Sequence, residues 1–237
     1  MKLIVTGATG FVGRELIRQS LAHPKITTVV AVARSPVTAP EKLPVGGDSL
    51  KLKPVVIQDY EVYPDEIKKE FSGAGACIWT VAITPTKSRM YDFNEVKRIC
   101  QSSATAGLRS MHEAGTATPF RFLYTSGAGV ERDQTKTPKY MPEYCLMRGE
   151  TENQLFALAQ ELGGIEVAAA RPGYITAPGD LMRSAMGPMV RLISGIPTIS
   201  VVDLVAAMLD QVVNGFEKDA LMPGDLMKIA GTISSAT

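Results

Sequence analysis

Two stretches of the chain bring together residue types that can do chemistry. Thr6-Gly7-Ala8-Thr9-Gly10-Phe11-Val12-Gly13-Arg14 follows a short apolar run and opens a helical pattern. In that setting Gly7 permits a tight turn, Gly10 lets the backbone approach a pyrophosphate, and Gly13 lets the helix pack close to the strand. The helix start offers free N–H groups and the positive end of the helix dipole to an anion. The second stretch is Tyr144-Cys145-Leu146-Met147-Arg148-Gly149-Glu150. On a helix, Tyr144 and Arg148 stand at i and i+4 and share a face. A fixed cation stabilises a phenolate and lowers the pKa of the phenol. Such a tyrosine can exchange a proton with a carbonyl or alcohol oxygen, while a serine hydroxyl holds that oxygen. Ser126, at the end of an apolar run, is the candidate serine. Tyr140, one helical turn earlier, is a rival for the tyrosine role, but its i+4 residue is Tyr144 rather than a base.

The residue after the second apolar run selects between dinucleotides. A site for the unphosphorylated ribose places a carboxylate there to bond the 2′-hydroxyl. Here the run ends Ala31-Val32-Ala33-Arg34, with no carboxylate. A guanidinium pairs bidentately with a 2′-phosphate. Arg34 therefore points to NADP(H), with Arg14 as a second cation. Asp59, after the third run, is placed to accept from an adenine amine or to be an ordinary loop carboxylate.

The elements that must position these residues alternate. Apolar runs at Leu3–Thr6, Thr28–Ala33, Val55–Ile57, Ala76–Val81, Phe120–Thr125 and Ile165–Ala170 read as strands. Helical patterns cover Phe11–Leu21, Pro64–Phe71, Ser88–Ala114, Pro142–Leu162 and about Val201–Val213. Near-continuous apolar strands separated by helices predict a parallel sheet covered on both faces. With right-handed crossovers this is a doubly wound α/β (Rossmann) fold with a small C-terminal substrate-binding region. Ser35–Pro54, rich in Pro and Gly, reads as a surface loop, and the tail after Ile229 as loosely held. No linker or repeat divides the chain, so a single domain over 1–237 is expected, with 172–200 and 214–237 as substrate-side loops and tail.

Composition excludes several classes. Lys+Arg total 25 against 24 Asp+Glu, a net charge of +1, which leaves no basic excess for nucleic acid. The three cysteines lack paired spacing, and His23 and His112 stand in no ligand motif, so neither a disulfide framework nor a metal site is expected. No apolar run approaches the ~18 residues of a bilayer span. The first strand begins too early for a signal-peptide apolar region. A cytoplasmic protein without membrane or nucleic-acid partners is expected.

The glycine loop, the strand-end Thr125-Ser126, the Tyr-x-x-x-basic-Gly-Glu helix and Arg171-Pro172-Gly173 together resemble the short-chain dehydrogenase/reductase superfamily. More narrowly they are similar to its atypical, NmrA-like members, over Lys2 to about Val213. The resemblance implies that Ser126 orients the substrate oxygen, Tyr144 is the acid/base and the basic residue binds the nicotinamide ribose. It also implies that Thr80 and Pro172 line the dinucleotide. The usual lysine is Arg148 here, which supplies charge and hydrogen bonds but releases no proton. A register shifted by one residue places Gly127 at the serine position and leaves Thr125 and Ser126 outside it.

The substrate end belongs to the loops 82–87, 127–142 and 172–197, beyond the carboxyl ends of the strands. Met182, Met186 and Met189, near Leu181, Val190 and Leu192, suit either a lipophilic small molecule or core packing. Gly179, Gly187 and Pro178 suit a lid, and Arg183 and Arg191 either an acidic substrate group or solvent. Three functions fit: an NADPH-dependent reductase of a carbonyl or enone, a non-redox NADP(H)-binding regulator or sensor, and an isomerase or cyclase using the same pocket. The chain is expected to act as a monomer or as a homodimer through its two long helices.

Overall fold

A computed structural model describes residues 1–177 and 197–236. Seven parallel strands form one sheet. They are β1 (Lys2–Thr6), β2 (Thr28–Ala33), β3 (Leu52–Val56), β4 (Ala76–Trp79), β5 (Phe120–Thr125), β6 (Ile165–Ala170) and β9 (Ala220–Leu221). Their order across the sheet is β3-β2-β1-β4-β5-β6-β9. Their central stretches, Leu3-Ile4-Val5 and Val29 to Ala33 among them, are fully buried because helices cover both faces. The order reverses between β1 and β4, the switch point at whose carboxyl ends such sheets bind ligands.

Each face has its own core. On one side α1 (Phe11–Ala22), α7 (Val201–Asn214) and α8 (Pro223–Ala236) pack Leu16, Leu21, Leu204, Met208 and Leu226 against Leu3, Val5 and Val29. On the other, α2 (Asp65–Phe71), α5 (Ser103–Glu113) and α6 (Pro142–Leu162) pack Phe71, Leu108 and Leu155 against Trp79, Phe122 and Tyr124. Ser200 caps α7, its hydroxyl accepting from the Asp203 N–H at 3.0 Å.

Several sequence boundaries need correction. The third strand is Leu52–Val56 rather than Val55–Ile57, so the loop expected over Ser35–Pro54 ends earlier. Pro54 is tolerated because β3 is an edge strand. The fourth strand stops at Trp79, two residues before Val81. The long helix expected over Ser88–Ala114 is broken into α3 (Pro85–Ser88), α4 (Phe93–Lys97), a π-helical turn (Arg98–Ser102) and α5. Asp92 restarts the helix by accepting from the Asn94 N–H at 2.9 Å, the behaviour of an N-cap aspartate. The tail expected after Ile229 continues α8 to Ala236, with Ala230 buried. The short strands β7 (Tyr174–Thr176) and β8 (Thr198–Ser200), a separate parallel pair, and β9 are too brief to show periodicity in sequence.

Candidate dinucleotide site

The glycine loop is a compact turn made of backbone. Gly7 has φ +68°, which a side chain would oppose. Its carbonyl accepts from the Gly10 N–H at 2.8 Å. A Cβ on Gly13 would lie 2.2 Å from that same carbonyl, so only glycine lets α1 start this close to β1. A Cβ on Gly7 would meet Thr80 Oγ1 at 2.6 Å. Thr80 is tied there, donating its hydroxyl to the Thr6 carbonyl at 2.6 Å.

The first intrahelical bond runs from the Arg14 N–H to the Gly10 carbonyl, so the amides of Val12 and Gly13 precede any helical acceptor. No side chain caps them and no acid stands in the first turn. This cradle of backbone donors, with the dipole behind it, fits a pyrophosphate. Exposed Phe11 and half-buried Val12 open α1, and Thr9 accepts from Arg14 Nε at 3.0 Å through its carbonyl.

One residue at the loop escaped the sequence reading. Tyr60 accepts from the Gly7 N–H and donates to the Val32 carbonyl, both at 3.2 Å. It joins the glycine turn to the end of β2. Burial pushes its phenol pKa up. A tyrosine three residues beyond the third apolar run was the available signal.

Arg34 follows β2 and is exposed, with no ion-pair partner among the described residues. Asp59 is engaged: Arg98 holds it at 3.0 Å and also reaches Glu61 and Glu95.

At the far side of the switch point, α6 is entered from Met141, a left-handed residue at φ +44°, and presents Tyr144, Arg148 and Glu152 to the sheet. Tyr144 donates its hydroxyl to the Ile83 carbonyl at 2.8 Å. The Ile83 N–H in turn donates to Cys100 Sγ at 3.2 Å. Burial pushes the Tyr144 phenol up, against the opposing charge of Arg148, so it is protonated at neutral pH.

Arg148 is buried, its guanidinium 4.7 Å from the Tyr124 ring and 6.0 Å from the Tyr144 ring. One of its terminal nitrogens donates to the Thr125 carbonyl. Its Nε and the Thr125 Oγ1 are buried without a hydrogen-bond partner.

Ser126 donates its hydroxyl to Glu152 Oε1 at 2.6 Å. Pro172 is buried beside it in the fold, its carbonyl accepting from the Ala128 N–H at 3.1 Å. The structure thus brings Tyr144, Arg148 and Thr125 together and gives Ser126 to Glu152. Glu152, unflagged by the sequence, is the missing member. The methionines, glycines and arginines expected on the substrate side between 178 and 196 lie outside the described residues.

A parallel sheet with a backbone anion cradle at its switch point defines a dinucleotide-binding Rossmann protein. A sequence model of the NAD(P)H-binding family matches residues 7–211, and the chain belongs to that family, within the atypical short-chain dehydrogenase/reductase group. No curated protein sequence matches the chain. Solved structures of the same fold include MoeE5 in complex with UDP-glucuronic acid and NAD, at 19% identity and a TM-score of 0.67, covering 93% of this chain and 74% of that one. Vestitone reductase from alfalfa (Medicago sativa) is similar at 19% identity and a TM-score of 0.61, covering 89% and 72%. UDP-glucose 4-epimerase from Thermus thermophilus in complex with NAD is similar at 14% identity and a TM-score of 0.65, covering 100% and 83%. No described helix is long and apolar enough to cross a membrane.

Proposed function

We propose that the chain is an NADPH-dependent oxidoreductase that reduces a carbonyl or enone of a small lipophilic molecule, and that it sits with the NmrA-like members of its superfamily. The observation that carries the reading is the Tyr144 hydroxyl, donated to the Ile83 carbonyl at 2.8 Å, beside the buried Arg148 guanidinium at the carboxyl ends of β4 and β5. The glycine loop would hold the pyrophosphate through Gly7, Gly10 and Gly13, and Arg34 would take the 2′-phosphate. Thr80, Arg148 and Pro172 would flank the nicotinamide half. The bound dinucleotide supplies hydride. Tyr144 would transfer its hydroxyl hydrogen bond from the Ile83 carbonyl to the substrate oxygen and deliver the proton there. Ser126, whose own proton goes to Glu152, would orient the substrate beside that oxygen by accepting from a substrate or ribose hydroxyl.

Titration of the chain with NADPH and NADH, followed by a panel of carbonyl and enone compounds, tests this. NADPH binds more tightly, and Tyr144→Phe removes turnover while leaving cofactor affinity intact. Turnover that survives Tyr144→Phe overturns the assignment.

A second reading, a non-redox NADP(H) sensor, is favoured by the engagement of both hydroxyls, Tyr144 with Ile83 and Ser126 with Glu152. Its signature is equal affinity for NADP+ and NADPH with no turnover on any member of the panel. An isomerase or cyclase would use the same pocket and return its hydride within the cycle. The protein is read as cytoplasmic, acting on a small molecule as a monomer or homodimer.

A further inference from the structure

Glu152 is buried on the sheet side of α6, two helical turns beyond Tyr144. Its carboxylate accepts four hydrogen bonds. Oε1 takes Ser126 Oγ at 2.6 Å and Arg171 Nε at 3.0 Å. Oε2 takes a terminal Arg171 nitrogen at 2.5 Å and Arg132 Nε at 2.6 Å. That uses the whole acceptor capacity of a carboxylate. The donors come from three places: Ser126 follows β5, Arg171 follows β6 and Arg132 lies in the loop between β5 and α6. Arg171 also donates to the Val130 carbonyl at 3.2 Å, and Arg132 pairs with Asp219 ahead of β9 at 2.7 Å. Two arginines and two carboxylates close a neutral network.

We propose that Glu152 is a positioning residue for the nicotinamide half of the site, a role that rests on the dinucleotide reading above. One carboxylate fixes the ends of β5 and β6 to the helix that carries Tyr144. The adenosine half, over β1 to β3, has no member of this network. Glu152 also sets the polarity of Ser126. The single hydroxyl proton is committed to the carboxylate, so Ser126 meets a ligand as an acceptor. It therefore suits a substrate or ribose hydroxyl, and leaves Tyr144 as the donor to a carbonyl oxygen.

The test is calorimetric titration of the full chain and its variants with NADPH and with adenosine 2′,5′-bisphosphate, which carries only the adenosine half. In Glu152→Gln the amide nitrogen faces arginine donors and cannot accept from them. NADPH affinity falls by about tenfold or more, the loss of a charge-assisted bond. The bisphosphate stays within about twofold. Ser126→Ala gives the same split at about threefold, the share of its neutral contact to a ligand hydroxyl, and decides alone should Glu152→Gln fail to fold. Equal losses for both ligands, or no loss for either, overturn the positioning role. A wild-type chain that binds neither ligand overturns instead the functional reading beneath it.

Discussion

At the carboxyl ends of β1 and β2 the chain presents backbone: the turn at Gly7, the Val12 and Gly13 amides, and a single exposed guanidinium, Arg34. At the ends of β5 and β6 it presents buried side chains: Arg148 between two tyrosine rings, and Glu152 holding Ser126, Arg132 and Arg171. Both ends rely on a glycine for close approach. Gly13 brings α1 against the Gly7 carbonyl, and Gly149 brings α6 against Glu131, whose carbonyl would lie 1.7 Å from a Cβ. The difference is in what the approach delivers. On the first side it aims amides at an anion. On the second it seats a helix whose side chains must then find partners distant in sequence.

The two glycines give the largest effects and separate the two ends. Each added Cβ meets rigid backbone, so Gly13→Ala and Gly149→Ala should each destabilise by about 3 kcal/mol, the upper part of the overpacking range. At roughly 2–4 °C per kcal/mol for a chain of this size, melting falls by about 6–12 °C. Their ligand effects should diverge. Gly13→Ala displaces the first turn of α1 and loses NADPH and adenosine 2′,5′-bisphosphate alike. Gly149→Ala moves α6 and spares the bisphosphate. Loss of bisphosphate binding in both variants would erase the distinction between the ends.

Arg34→Ala comes next and sharpens the adenosine side. Withdrawing a charge-assisted contact worth about 1.5–3 kcal/mol reduces NADPH affinity by roughly 10- to 100-fold. NADH has no 2′-phosphate and should bind as before. The ratio of the two dissociation constants, measured in wild type and variant at one salt concentration, reads the effect. An unchanged ratio removes Arg34 from the site.

This contrast also explains what could be read from sequence. A glycine turn is a local device, and its three residues within one βαβ unit announce both the turn and the helix start. Arg34 was legible because strand length fixes which residue stands past the sheet edge. The side-chain end was legible only within one helix, as Tyr144 and Arg148 on a common face. Their partners were not: Ile83 is 61 residues from Tyr144, and Ser126 is 26 from Glu152. Asp59 shows the same limit, since its pairing with Arg98 spans 39 residues. Glu152 could have been suspected from its spacing, four residues beyond Arg148 and eight beyond Tyr144 on the same helix face, because a carboxylate on a buried face must be paired. The π turn at Arg98–Ser102 meets the side-chain end through another distant partner, its Cys100 carbonyl accepting from Tyr124 at 2.9 Å.

The smallest effect is the most discriminating for the side-chain end. Tyr144→Phe withdraws the hydrogen bond to the Ile83 carbonyl and costs about 1 kcal/mol near neutral pH. Burial raises the phenol pKa in the folded state, while the unfolded chain ionises near 10. The native state therefore holds its proton where the unfolded state has released it. Wild-type stability is independent of this group below about pH 10 and then falls, by up to about 1.4 kcal/mol per pH unit. The Phe variant lacks that loss. The two stability curves, from urea unfolding at pH 8 to 11.5, should converge and cross near the top of the range. Were the guanidinium of Arg148 the dominant influence, the folded pKa would lie below 10 and the wild-type advantage would widen as pH rises towards 10. Widening would make Tyr144 a phenolate-forming base. Convergence makes it a proton donor, the role that a reductase requires.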